Sequence, residues 1–133
     1  MKTAVWDTYV KSRSGDVLHF DIIVPDTVKE PAEIFGFGKT YLQEKGEDPE
    51  GLSAAECRFC HIEEPSQEML AAIGQQGYYI LEMDPIPASL GAGASRRDMI
   101  LHLKGYYPAY RFRNFSGIPE EEVRTMLLNA ENE

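Results

Sequence analysis

The chain has 133 residues, 43% of them hydrophobic, and carries 22 Asp and Glu against 13 Lys and Arg, for a net charge of −9. That length fits one domain able to bury its own core without metals or disulfides. The acidic balance argues against a general nucleic-acid binder and against docking on anionic membranes, and it favours solubility.

At the N-terminus Asp7 and Lys11 interrupt any apolar run, so no secretory segment is expected, and no stretch approaches a membrane span. A cytoplasmic location with reduced thiols is the expectation. Residues 3–12 and 17–25 are rich in Val, Ile, Tyr, Trp and Phe and flank Arg13-Ser14-Gly15-Asp16, a hairpin signal. With Ser14-Gly15 as a two-residue loop, Val10 is expected opposite His19 and Thr8 opposite Asp21. Alternation then groups Val5, Asp7 and Tyr9 with Leu18, Phe20, Ile22 and Val24 on the core face, leaving Trp6, Thr8, His19, Asp21 and Ile23 on the other.

Thr27 and Glu30 suit a capping box, and Pro31 suits a first helical turn. Ile34, Phe35, Gly38, Tyr41 and Leu42 then recur at helical spacing as far as Gly46. Residues 55–63 read as a strand, Pro65 to Gly77 as a helix with Met69, Leu70 and Ile73 on one stripe, and 78–83 as an inner strand. The order β-β-α-β-α-β predicts an α+β fold. Its core domain, residues 1–84, is a four-stranded mixed sheet with two covering helices and right-handed crossovers between parallel strands. Residues 85–95 form a Pro/Gly-rich linker. Residues 96–133 form a C-terminal extension packing on the core or on a dimer partner. In it a helix starts at the Ser95 cap and stops at Gly105, an aromatic-basic stretch runs extended, and a last helix follows Pro119, where three Glu suit the helix dipole.

The segment Glu56-Cys57-Arg58-Phe59-Cys60-His61-Ile62-Glu63 contains C-x-x-C-H, a haem-attachment string. Without an export route and a haem-sized pocket that reading fails. In a strand the two Cα atoms lie roughly 10 Å apart at about 3.3 Å per residue, beyond the reach of a disulfide. Cys57, Phe59 and His61 then point one way, and Arg58, Cys60 and Ile62 the other. A zinc site from Cys57, Cys60, His61 and a remote His19 or His102 lacks its second half. Cys57 and Phe59 are therefore read as core residues, and no metal or cofactor is assigned.

Three further sets are candidates for binding. Strand ends gather His61 and Glu63 with Asp26, Glu64, Glu82 and Asp84, a His beside carboxylates, although solvated strand ends in an acidic protein are the preferred reading. Asp7 falls on an apolar face, where a carboxylate must be hydrogen-bonded, paired or neutral; it is read as a brace, with a functional acid of raised pKa as the second reading. His19 and Asp21, two apart on one face, are within hydrogen-bonding reach of each other; an exposed polar pair explains them equally well.

The segments "AVWDTYV", "LHFDIIVP", "GKTYLQEKG", "ECRFCHIE" and "GYYILEMD" together resemble a small bacterial domain-of-unknown-function family over about residues 1–84. The resemblance implies a short α+β fold and carries no activity, cofactor or catalytic residue. The extension beyond Asp84 departs from the short members. It gathers Arg96, Arg97, Lys104, Arg111 and Arg113 with Tyr106, Tyr107, Tyr110, Phe112 and Phe115. Basic–aromatic interleaving suits single-stranded nucleic acid, but the acidic remainder disfavours it, and a contact with the core, a homodimer or another protein partner is preferred. The leading functional reading is a small binding or interaction module. The alternative is a small metal- or thiol-dependent enzyme using Cys57, Cys60, His61 and nearby carboxylates.

Overall fold

The structure is a computed structural model that describes residues 1–91 and 93–132. Ala92, in the expected linker, and Glu133, at the end of the extension, lie outside the described residues. The elements are β1 (Thr3–Lys11), β2 (Val17–Pro25), α1 (Pro31–Glu44), β3 (Cys57–Glu63), α2 (Gln67–Gln76), β4 (Tyr79–Glu82), α3 (Arg96–Tyr106), a short 3-10 turn (Pro108–Tyr110) and α4 (Glu120–Glu131). The α+β class and the β-β-α-β-α-β order of the first half follow the sequence reading.

The sheet order is β3-β1-β2-β4, and every neighbouring pair is antiparallel. A mixed sheet was expected. The difference arises because β1 inserts between β2 and β3, so these two strands, which run the same way, never touch. The strand ends consequently do not gather: Glu63 lies at the Thr3 end of β1, whereas Glu82 pairs with Phe20 toward the opposite end of β2.

The hairpin register differs by one residue from the expected one. Lys11 pairs with Val17, Val10 with Leu18, Tyr9 with His19 and Asp7 with Asp21. The loop is five residues long rather than two. Ser12 N–H donates to Asp16 O at 2.7 Å, Gly15 N–H donates to Ser12 O at 3.1 Å, and Gly15 takes a φ of 98° that only glycine adopts without strain. A one-residue slip exchanges faces. Ala4, Trp6 and Val10 thus join Phe20, Ile22 and Val24 against α1, where Ile34, Tyr41 and Leu42 complete the main core. Asp7 and Tyr9 instead share the other face with His19 and Asp21.

Helix α1 starts at Pro31 without a side-chain cap, so the capping box expected from Thr27 and Glu30 does not form. Gly38 lets α1 press onto the sheet: a methyl there would collide with Leu52 and lie 2.9 Å from Ile22 Cδ1. Helix α2 lies beside β4 and β2. The Ser95–Asp98 capping box does start α3. That helix continues one residue past Gly105, the expected stop, and the bare Cα there allows close approach to Ile86 and Val17. The aromatic stretch after it is no strand; Pro108 opens the 3-10 turn, and Tyr110 N–H donates to Tyr107 O at 2.9 Å.

The extension has an apolar cluster of its own, built on Met99, Leu103, Phe115, Val123 and Leu127. A third cluster, Tyr9, Val17 and Ile86 with Leu101, Tyr106 and Phe112, joins it to the sheet. Tyr106 O–H donates to Ile86 O at 2.7 Å. The buried Arg111 donates to Ala55 O at 3.1 Å and to Gly105 O at 3.0 Å. Among the described residues no helix is long and apolar enough to cross a membrane.

Candidate functional site

The sheet face beneath α3 carries the chemistry. Asp7 and Asp21 are direct cross-strand partners, and Tyr9 and His19 are the next pair along. Two like charges directly opposite destabilise a sheet unless something neutralises them. His19 lies beside the pair and bonds Asp7. Its Nε2 lies 3.0 Å from Asp7 Oδ1, and the His19 and Asp7 side chains are only 11% and 18% exposed. The ring stacks on Tyr9, with centroids 4.4 Å apart and planes 11° from parallel. One donor atom from each of Asp7, His19 and Asp21 lies within 4.8 Å of the others.

Burial, the negative charge of Asp7 and a hydrogen bond to it raise the Asp21 carboxyl from its ordinary 3.8 to about 7, with His19 opposing the rise. Burial and then Asp7 push the Tyr9 hydroxyl well above its usual range. Such a site holds a proton at neutral pH that an ordinary carboxylate would have lost, or it accepts a cation in the proton's place.

A β-bulge in β3 completes the surroundings. Trp6 pairs with Phe59 and Val5 with His61, which leaves Cys60 as an extra residue without a β1 partner. The bulge corrects the alternation expected for this strand. Cys57, Phe59 and Ile62 share the α1 face, and Arg58, Cys60 and His61 share the Asp7 face. Cys60 and Asp7 line one cleft with Lys104. The Cys60 thiol is raised by burial and by Asp7 and Asp21, with Lys104 acting the other way.

The remaining sequence candidates lie apart. Cys57 is buried and accepts from Thr8 Oγ1 at 3.3 Å; burial holds its thiol up at about 11. The two thiols therefore turn to opposite faces. His61 Nε2 lies 3.0 Å from Glu63 Oε1 at the exposed end of β3. Asp84 lines a different cavity, of about 390 Å³, with Arg97 and Asp98; His19 forms part of its wall. Three contributors were not singled out in the sequence: Tyr9, Arg58 and the bulge itself. A hairpin register shifted by one residue would have placed Asp7 opposite Asp21, and strand alternation already set Arg58 beside Cys60.

Residues 1–83 match the family described as "Domain of unknown function (DUF2024)". The chain belongs to this family. The NMR structure of protein NE1680 from Nitrosomonas europaea is 40% identical, with a TM-score of 0.57, over 63% of this chain and 96% of that one. No curated protein matches the chain. Asp7, His19, Asp21, Cys60 and His61 all fall within the residues matched to DUF2024, and Lys104 and Arg113 fall beyond them.

Proposed function

We propose that the protein is a small binding module whose ligand is a divalent cation held by Asp7, His19 and Asp21. The observation that carries this reading is the convergence of two carboxylates and an imidazole, within 4.8 Å, on a half-buried sheet face. Two oxygens and one nitrogen suit zinc or manganese(II) better than calcium, which takes oxygen alone, or copper(I), which prefers sulfur. Three protein donors leave a coordination position for water or a ligand oxygen. The cation would replace the proton on Asp21 and remove the repulsion between the facing carboxylates. Strand pairing presets two of the three donors, so little ordering accompanies binding. Neither thiol is required: Cys57 faces the other core, and the Cys60 thiol is raised rather than lowered.

The test is calorimetric titration of metal-free protein with zinc at pH 6 and pH 8. One equivalent should bind, more tightly at pH 8, because the site must release protons to take the metal. Asp21→Asn and His19→Gln should each abolish that binding while remaining folded. Zinc binding that both variants retain would contradict the reading, as would no binding at either pH.

A further inference from the structure

We infer that the cleft between β3 and the C-terminal extension binds a small phosphate-type oxyanion, with Arg58, Lys104 and Arg113 as its receptors. The cleft holds about 580 Å³ and is lined by these three cations together with Asp7, Cys60 and Phe112. They arrive from three places: β3, α3 and the loop after the 3-10 turn. In a chain with net charge −9, carboxylate partners are plentiful. Among the described residues none of the three forms an ion pair, which is also true of Lys11, Arg13, Lys29, Lys39, Arg96 and Arg97; what sets the three apart is that they line one cleft.

Aromatic faces hold them instead. The Arg58 guanidinium lies 4.8 Å from the Phe112 ring centre, Lys104 Nζ 5.8 Å from that of Phe115, and the Arg113 guanidinium 5.8 Å from that of Tyr110. A cation stacked on a ring is positioned but keeps most of its N–H groups free. Lys104 spends one on Arg111 O at 3.3 Å, and Arg58 Nε makes a long 3.5 Å contact with Ala54 O. Three cations against the single carboxylate of Asp7 around one void leave an excess of positive potential that an anion relieves. A tetrahedral anion with several acceptor oxygens can meet all three, whereas a lone carboxylate cannot. The inference goes beyond the cation reading and does not depend on it. A cation on Asp7 would simply face the anion from the floor of the cleft.

The experiment is calorimetric titration of the full chain with inorganic pyrophosphate, in EDTA throughout so that failure of the cation reading cannot be mistaken for failure of this one. Saturable binding at one site is expected, at least about tenfold weaker in Arg113→Gln and in Lys104→Gln, and unchanged in Lys39→Gln, an exposed position of α1. Arg113 is exposed, so its variant should keep the wild-type melting temperature, and it decides the question. Equal affinity in wild type and Arg113→Gln would overturn the inference, as would absence of saturable binding. Acetate binding as tightly as pyrophosphate would overturn the choice of anion. Binding of a single-stranded oligonucleotide without binding of pyrophosphate would assign the patch to nucleic acid instead.

Discussion

The Asp21 carboxyl makes stability depend on pH. Its folded-state pKa of about 7 lies above the ordinary 3.8, so folding takes up a proton between those values. The stabilisation is fully present below about pH 4 and is lost as pH rises through 7. Asp21→Asn, which stays neutral, should therefore melt about 5 °C above the wild type at pH 8 and close to it at pH 4, in metal-free thermal scans. A pH-independent difference would mean that the carboxyl does not titrate as the geometry demands. The thiols give a second test at this scale. Cys60 is exposed and Cys57 is buried against Thr8. A thiol reagent should label one cysteine per native chain and the second only on unfolding. Mass mapping should find the first label on Cys60.

Among the elements, α1 depends on a missing side chain. Gly38→Ala should lower stability by about 1–3 kcal/mol, read by denaturant unfolding, because the new methyl meets Leu52 and Ile22 inside the main core. Gly36, on the same helix, has open space around its Cα, and Gly36→Ala should be neutral or slightly stabilising. The elements themselves were legible: apolar spacing marked α1, the Pro/Gly punctuation bounded the strands, and the Ser95–Asp98 box marked the start of α3. The site was legible only in part. Asp7, His19, Asp21 and Cys60 all stood out as residues, but their meeting depends on two one-residue events, the shifted hairpin register and the bulge at Cys60. Local patterning does not encode such events strongly, because a strand with apolar residues on both faces fits either register. Val5 and Ile23 on one face, and Ile22 and Val24 on the other, are all buried, so hydrophobicity could not choose between them.

For the whole molecule, Arg111 is one of the side chains that tie the extension to the first half of the chain. Arg111 bonds the carbonyls of Lys104 and Gly105 on its own side and that of Ala55 across the cleft, with Glu56 3.9 Å away. Arg111→Ala should cost about 3 kcal/mol by leaving the buried Gly105 carbonyl and two partly buried ones without this donor. Amide exchange should then speed up first in α3 and α4. The same arrangement places the sheet-borne Asp7–His19–Asp21 centre beneath a cleft whose basic wall comes largely from the extension. The central claim is that this centre takes a divalent cation, and paramagnetic NMR tests it most directly. Substoichiometric manganese(II) added to labelled protein should broaden the amides around Asp7, His19 and Asp21 first and leave α4 sharp. Broadening confined to exposed acidic stretches such as Glu120–Glu122, with the sheet centre unaffected, would contradict it.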